Sequence, residues 1–111
     1  MSQSQFKAGE TIFKAGEPGK AMFIVKSGSV DLLVGDRVVE TVGADGIFGE
    51  MALIEHSKRS ATAVAKTDCE LKVIEESEFL FMVRETPFLS LKVMRTLANR
   101  LRAMNESAHL G

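Results

Sequence analysis

The sequence contains few of the residues that build disulfide frameworks, metal centres or nucleophilic active sites. Its 111 residues include one cysteine, two histidines, two prolines and no tryptophan or tyrosine. The single cysteine, Cys69, excludes an internal disulfide, and its place in an alternating strand pattern predicts a buried, unreactive thiol. His56 and His109 lie far apart and outside the predicted strands, so neither a metal site nor a Ser-His-Asp or Cys-His arrangement is indicated. We therefore expect a protein without catalytic activity and without a bound metal.

Long apolar runs and an excess of charge of one sign are also absent. No segment approaches the roughly 20 apolar residues of a membrane-spanning helix, and no signal peptide is recognisable. Fourteen basic residues against fifteen acidic ones give a net charge of −1, without the basic excess of a general nucleic-acid binder. We therefore expect a cytoplasmic protein that enters no membrane and does not bind DNA through this chain.

Glycines and short β-branched or aromatic runs dominate the first two-thirds of the chain. These runs predict six strands separated by turns: Thr11–Phe13, Met22–Lys26, Ser29–Val34, Val38–Val42, Thr62–Ala65 and Glu70–Ile74. Gly35-Asp36 predicts a tight turn between two of them. The polar residues 1–5 are expected to form a frayed end. Many closely spaced short strands are typical of a sandwich, a jelly roll or a barrel.

After Glu75 the pattern becomes helical. Ser77 is expected to cap a first helix, and Thr86-Pro87 predicts the N-cap and the first position of a second one. The second helix carries an apolar stripe of Phe88, Leu91, Met94, Ala98 and Leu101, widened by Leu97 and Met104. This stripe could pack in the core or form a seam with a partner. Strands followed by helices, with 45% hydrophobic residues, predict a single α+β domain, mainly β, over residues 1–111.

The candidate binding chemistry is concentrated in one short segment. A stretch running Phe48-Gly49-Glu50-Met51-Ala52-Leu53-Ile54 predicts a short helix with a glycine at its start, and Arg59-Ser60-Ala61-Thr62 follows it. Backbone N–H groups at a helix start attract an anion, and arginine has the fork geometry that suits phosphate. A carboxylate would repel a phosphate, so Glu50 is better suited to accept a hydrogen bond from a sugar hydroxyl. Phosphate and sugar together suggest a nucleotide.

This segment resembles the phosphate-binding cassette of the cyclic nucleotide-binding domain family. Two further motifs are similar to the family's opening and first core strands: Phe6-x-x-Gly9-Glu10-x-Ile12-Phe13-x-x-Gly16-Glu17 and Phe23-Ile24-Val25-x-x-Gly28-x-Val30. The resemblance implies an antiparallel, jelly-roll-like β-roll over about residues 6–75, a short cassette helix, and C-terminal helices over about residues 77–107. It also implies a regulatory module whose ligand is cAMP or cGMP, with cAMP preferred, and which needs no other cofactor.

By this resemblance the ligand site consists of Phe48, Gly49, Glu50, Met51, Ala52, Arg59, Ser60 and Ala61. Arg59 would bind the phosphate, although taken alone it could be a solvated surface residue. Glu50 would bind the ribose 2′-hydroxyl, although it could merely favour the helix start through the helix dipole. Gly49 permits close approach of the backbone, and Ala52 is small enough to let the phosphate reach its amide.

Three positions keep more than one interpretation. Ser60 could donate to the phosphate or to a guanine base, or simply pack at a strand start, and it does not settle the base. Met51 could line the sugar or base, or belong to the core. Asn105 falls where the family can contact the base, and could equally be an ordinary exposed polar residue near a helix end.

The resemblance also implies possible partners. In the family, the long helix that corresponds to the last one here often pairs two subunits, so a homodimer through the Leu91–Leu101 face is possible. An effector domain or protein is not indicated, and a helical segment before the opening motif is nearly missing. The alternative to a nucleotide sensor is an interaction module of the same fold that binds no nucleotide.

Overall fold

Eight strands and three helices are present in the computed structural model, which describes residues 2–56 and 58–110, and the surroundings of side chains 3–56 and 58–103. Their order along the chain is β1 (Ser2–Phe6), β2 (Thr11–Phe13), β3 (Ala21–Ser27), β4 (Val30–Val34), β5 (Arg37–Val42), β6 (Ile47–Phe48), α1 (Met51–Ile54), β7 (Thr62–Ala65), β8 (Cys69–Glu75), α2 (Glu76–Glu85) and α3 (Pro87–Leu110). The chain divides into two compact units, Met1–Glu78 and Phe79–Gly111.

The first unit contains two antiparallel four-stranded sheets. One has the strand order β1-β8-β3-β6 and the other β2-β7-β4-β5. Strands that are neighbours in a sheet are mostly distant in sequence, which is typical of a jelly roll and unlike a simple meander. The six predicted strands all form, and their ends agree with the prediction to within one residue.

The core of this unit lies between strands of both sheets. It consists of Phe23, Val25, Val30, Val42, Phe48, Ala63, Ala65, Cys69 and Leu71.

Val34 pairs with Arg37 across the predicted turn at Gly35-Asp36, where Gly35 has φ +62°. A two-residue hairpin turn needs this left-handed conformation, which glycine adopts without strain. Burial of Cys69 is confirmed, since its side chain is 5% exposed.

The expectation of a frayed start was wrong. Residues 2–6 form β1, which pairs with β8 from Ser2↔Val73 to Phe6↔Cys69. β1 is an edge strand, and backbone hydrogen bonds hold such a strand whatever its side chains are. Polar side chains are moreover common at sheet edges, because they discourage pairing with another chain. The polar composition was therefore a poor guide to disorder.

The helices differ from the prediction at two places. α2 begins at Glu76, directly after β8, so Ser77 lies inside the helix and does not cap it. Pro87 is confirmed as the first residue of α3. Within α3, Phe88, Leu91, Met94 and Leu101 are exposed, whereas Leu89 and Val93 are buried. The predicted stripe is therefore not the buried one, since a second apolar series at helical spacing begins one residue later.

Candidate functional site

The start of the cassette is positioned by the short strand β6. Phe48 pairs with Phe23 of β3, so the chain leaves the sheet beside the beginning of that strand. Gly49 then adopts φ +78°, a left-handed conformation that favours glycine. Glu50 follows at the N-cap of α1, and α1 runs for one turn from Met51 to Ile54. A single turn has only a small dipole, so it contributes less to anion attraction than the sequence suggested.

The end of the cassette runs beside the loop that joins β2 to β3. The Arg59 N–H donates to the Glu17 carbonyl at 2.8 Å, and the Gly16 N–H donates to the Arg59 carbonyl at 2.8 Å. Pro18 and Lys58 form an isolated β-bridge next to these bonds. The backbone of Arg59 is thus fixed on the loop.

The Arg59 side chain is held inside the protein by two backbone carbonyls and an aromatic ring. Its Nη1 donates to the Gly49 carbonyl at 2.9 Å, and its Nη2 donates to the Ala21 carbonyl at 2.8 Å. Its Cζ lies 4.1 Å from the centre of the Phe13 ring, within the range of a cation–π interaction. We call these three groups the Arg59 seat. The residue is 9% exposed, so the surface interpretation of Arg59 is wrong.

One of the three guanidinium nitrogens of Arg59 has no hydrogen-bond acceptor among the described residues. Its Nε is buried and donates no hydrogen bond to any part of the chain that the structure describes. A buried donor without an acceptor is costly, and a charged one more so. Burial lowers the pKa of Arg59, an effect that the negative charges of Glu50 and Glu17 oppose. An anion bound at this point would supply both the missing acceptor and a compensating charge.

Glu50 is the second buried charged side chain of this region, with 1% of its surface exposed. Its charge acts on Arg59, which places the two groups in one electrostatic environment. Glu50 makes no side-chain capping hydrogen bond to α1. Helix capping therefore does not account for the burial of this carboxylate.

The remaining predicted residues are distributed between core and surface. Phe48 is fully buried and stacks on Phe23, with 5.1 Å between ring centres, so it belongs to the core. Ala52 is buried, Ala61 is half-buried, and Met51 and Ser60 are exposed. The side chain of Asn105 lies outside the described residues. The structure thus brings together Gly49, Glu50, Ala52 and Arg59.

Three residues at this site were not predicted from the sequence. Phe13 and Ala21 contribute to the Arg59 seat, and Gly19 lies close to Arg59 and Ala52. Phe13 belongs to the opening motif, which was the only signal that could have pointed to it. Gly19 and Ala21 carry no chemistry that a sequence pattern reveals, because Gly19 acts through its lack of a side chain and Ala21 acts through its backbone carbonyl.

The other groups named in the sequence lie elsewhere. His56 is exposed and its Nε2 lies 3.2 Å from Oε1 of Glu76, while the side chain of His109 is outside the described residues. Among the described residues, no three His, Cys, Asp or Glu side chains are grouped so that they could hold a metal ion. None of the described helices has the length and apolar character that crossing a membrane requires.

Comparisons with known proteins identify similar sequences and structures. Residues 3–86 match the model of a family described as the cyclic nucleotide-binding domain. The chain is 36% identical over 102 residues to the cyclic AMP receptor protein of Thermus thermophilus, which covers 87% of this chain and 47% of that protein. It is 47% identical over 62 residues to a cGMP-dependent protein kinase of Toxoplasma gondii, which covers 56% of this chain and 6% of the kinase.

Among solved structures, the catabolite activator protein of Thermus thermophilus superposes with a TM-score of 0.86 and 32% identity, covering 98% of this chain and 54% of that one. The predicted β-roll fold is confirmed by this likeness. The chain spans about half the length of the Thermus protein and 6% of the length of the kinase. From the match over residues 3–86 and these identities we conclude that the chain belongs to the cyclic nucleotide-binding domain family.

Proposed function

We propose that this chain binds a cyclic nucleotide at Arg59 and acts as a regulatory ligand-sensing module without catalytic activity. The observation that carries the proposal is the buried Nε of Arg59, a charged donor without an acceptor among the described residues. The two Nη atoms are already bonded to carbonyls, so the guanidinium is oriented before any ligand arrives. Orientation in advance lowers the entropic cost of binding.

Glu50 gives the site its selectivity for a nucleotide over a simple phosphate. A buried carboxylate near Arg59 opposes the binding of an additional anion unless it makes a favourable contact with the same ligand. The ribose 2′-hydroxyl of a cyclic nucleotide is a donor of the right kind. Glu50 and Arg59 would then hold the two ends of the cyclic phosphate and ribose unit.

For the base we propose adenine in preference to guanine. The Thermus relative, whose name specifies cyclic AMP, covers most of this chain, whereas the cGMP-dependent kinase matches a shorter part of it. Ser60 is exposed, so its hydroxyl is accessible to an adenine nucleotide and to a guanine nucleotide alike. The base contact of Asn105 and a cytoplasmic location remain predictions.

The regulatory step follows from differential affinity. A ligand shifts a conformational equilibrium only as far as it binds one state better than the other. The contacts of the phosphate with Arg59 and of the base with the C-terminal helix would supply that difference. The output would pass to a further domain, a partner protein or a second copy of the chain.

The test is isothermal titration of the purified chain with cAMP and with cGMP, after unfolding and refolding to remove carried-over ligand. We expect binding with a micromolar or lower Kd, tighter for cAMP. At a ligand concentration of 100 times Kd, the free energy of unfolding should also rise by about 2.7 kcal/mol. Absence of heat and of thermal stabilisation with both nucleotides would reject the sensor and favour an interaction module of the same fold.

Discrimination against 2′-deoxy-cAMP tests the role of Glu50. Loss of a hydrogen bond to a buried charged acceptor costs about 1.5–3 kcal/mol, so affinity should fall by roughly tenfold to a hundredfold. The Glu50→Gln variant should lose much of this discrimination, because a neutral amide is a weaker acceptor. Equal affinity of the wild-type chain for cAMP and 2′-deoxy-cAMP would show that Glu50 does not bind the ribose 2′-hydroxyl.

A further inference from the structure

Gly19, in the loop between β2 and β3, leaves no room for a side chain beside Arg59. A Cβ atom at this position would lie 2.5 Å from Nε of Arg59, 2.6 Å from its Cζ and 2.7 Å from the Cβ of Ala52. Contacts below 3.0 Å are essentially never made by real Cβ atoms. The space between the guanidinium and α1 is therefore too small for any side chain at position 19, and only glycine fits there.

The backbone of Gly19 does not itself require glycine. Its φ lies outside the left-handed region, unlike that of Gly9, Gly16 and Gly35, where added Cβ atoms would meet nothing within 4 Å. Conformation explains the glycine at those three positions, whereas space explains it at Gly19. Gly43 is a useful contrast, because it has neither a close neighbour nor a left-handed φ.

Neither the Arg59 guanidinium nor the loop that carries Gly19 can move away at low cost. The guanidinium is held by the Gly49 and Ala21 carbonyls and by the Phe13 ring. The loop is held to the backbone of Arg59 by the hydrogen bonds of Gly16 and Glu17. A side chain at position 19 would consequently have to displace the guanidinium or α1.

We propose that Gly19 is a positioning residue, whose lack of a side chain keeps Arg59 in its seat and thereby sets the affinity for the phosphate of the ligand. This inference rests on the proposed function, because it assigns a residue to the same site. Gly19 touches no ligand atom in this proposal and acts through Arg59. The loop between β2 and β3 thus becomes part of the binding machinery, although it lies far from the cassette in sequence.

The first measurement concerns the guanidinium without any ligand. In a ¹⁵N–¹H NMR spectrum, the Nε–H signal of Arg59 is identified by its disappearance in Arg59→Lys. We expect this signal to shift or broaden in Gly19→Ala and to keep its position in Gly43→Ala, the matched control. A merely structural role for Gly19 would lower stability and leave this signal where it is, which would overturn the proposal.

The second measurement is the titration of the same variants with cAMP and cGMP. Displacing one charged donor should weaken binding by at least about tenfold in Gly19→Ala, while Gly43→Ala binds like the wild-type chain. A shifted Nε–H signal with unchanged affinity would overturn the link between Gly19 and the phosphate. If the wild-type chain binds neither nucleotide, the proposed function and that link fail together, whereas the NMR measurement still decides whether Gly19 holds Arg59.

A second variant covers the case in which Gly19→Ala does not fold. Adding Ala52→Gly removes the methyl group at 2.7 Å and leaves only the collision with Arg59. This double variant is compared with Ala52→Gly alone. A displaced Nε–H signal and weaker binding in the double variant support the proposal, and identical behaviour of the two contradicts it.

Discussion

Arg59 combines burial, charge and incomplete hydrogen bonding in a single residue. Two of its nitrogens are bonded to carbonyls, its plane lies near an aromatic ring, and Nε has no acceptor among the described residues. Burying a charge is unfavourable, and burial lowers the pKa of Arg59, although the negative charges of Glu50 and Glu17 oppose this effect. A residue in this state is stabilised by the arrival of an anion.

Replacing Arg59 should therefore damage binding far more than removing a neighbouring charge. A forked, charge-assisted contact is worth about 1.5–3 kcal/mol per hydrogen bond, so Arg59→Ala should reduce affinity for cAMP by about a hundredfold or more. The affinity of Arg59→Lys for cAMP should lie between those of the wild-type chain and Arg59→Ala, since lysine keeps the charge and loses the fork geometry. Lys58→Ala is the matched control, because Lys58 is exposed and carries the same charge. Calorimetry that shows similar affinity for Arg59→Ala and Lys58→Ala would remove Arg59 from the site.

Cys69 illustrates the opposite case, a buried group with no part in the site. Burial raises the pKa of its thiol, and the charges of Asp68 and Glu10 raise it further. Because the thiolate is the reactive form, the folded chain should react with iodoacetamide several-fold more slowly than the chain unfolded in guanidinium chloride. The rate should increase with pH, with a midpoint above that of the unfolded control. Mass spectrometry after timed quenching measures both, and equal midpoints would contradict the inferred environment.

Among the elements, β1 shows how pairing overrides side-chain polarity. Its residues pair with β8, which is also the neighbour of β3 in the same sheet. In an edge strand every second N–H faces the neighbouring strand and the others face solvent.

Native-state hydrogen exchange should therefore reveal β1 directly. We expect slow and fast exchange to alternate along residues 3–6, because only the amides that face β8 are bonded. Deleting residues 1–5 should lower Tm, by roughly 4–8 °C for each kcal/mol of lost stability in a domain of this size. Uniformly fast exchange, with an unchanged Tm after the deletion, would show that the start of the chain is frayed and does not form β1.

The elements around the site are short, and contacts with other elements hold them in place. β6 has two residues and α1 has four, too few to be stable alone. β6 is bonded to β3, and Ala52 and Leu53 of α1 are buried. The position of the cassette therefore depends on tertiary contacts and not on the intrinsic stability of these short elements.

At the scale of the whole molecule, α3 carries an apolar face that the single chain leaves exposed. Leu91, Met94 and Leu101 are 38%, 59% and 58% exposed. With Ala98 they alternate three- and four-residue steps, the spacing of a coiled-coil seam. Such a seam is complementary to a second copy of itself, which is why we predict a homodimer.

Light scattering after size-exclusion chromatography tests the dimer. The wild-type chain should elute as a dimer, and Met94→Lys should shift it to a monomer, because a charge is buried without a partner in the seam. Asn99→Lys is the control, since residue 99 is exposed and lies off the stripe. A monomeric wild-type chain at high concentration, with and without cAMP, would exclude this mode of assembly.

Much of the candidate site followed from local sequence. Gly49, Glu50 and Arg59 form a motif whose chemistry is evident from residue types and spacing, and the one-turn helix between them forms as predicted. The strands also follow from local pattern, because alternation and turn glycines act within a few residues. The sequence could not decide whether the predicted stripe of α3 packs in the core or faces outward, since burial depends on surroundings that are distant in the chain.

By itself, then, the sequence determined the family, the mainly β architecture and the residues that carry charge at the site. Only the tertiary structure decided how that charge is held. The carbonyl of Ala21, the ring of Phe13 and the empty space at Gly19 converge on Arg59 from a region about 40 residues earlier in the chain, as the bond between Ala21 and Arg59 with a separation of 38 residues shows. The Ala21 carbonyl and the space at Gly19 depend on no distinctive side-chain chemistry, and all three contributions arise only when the two segments fold against each other.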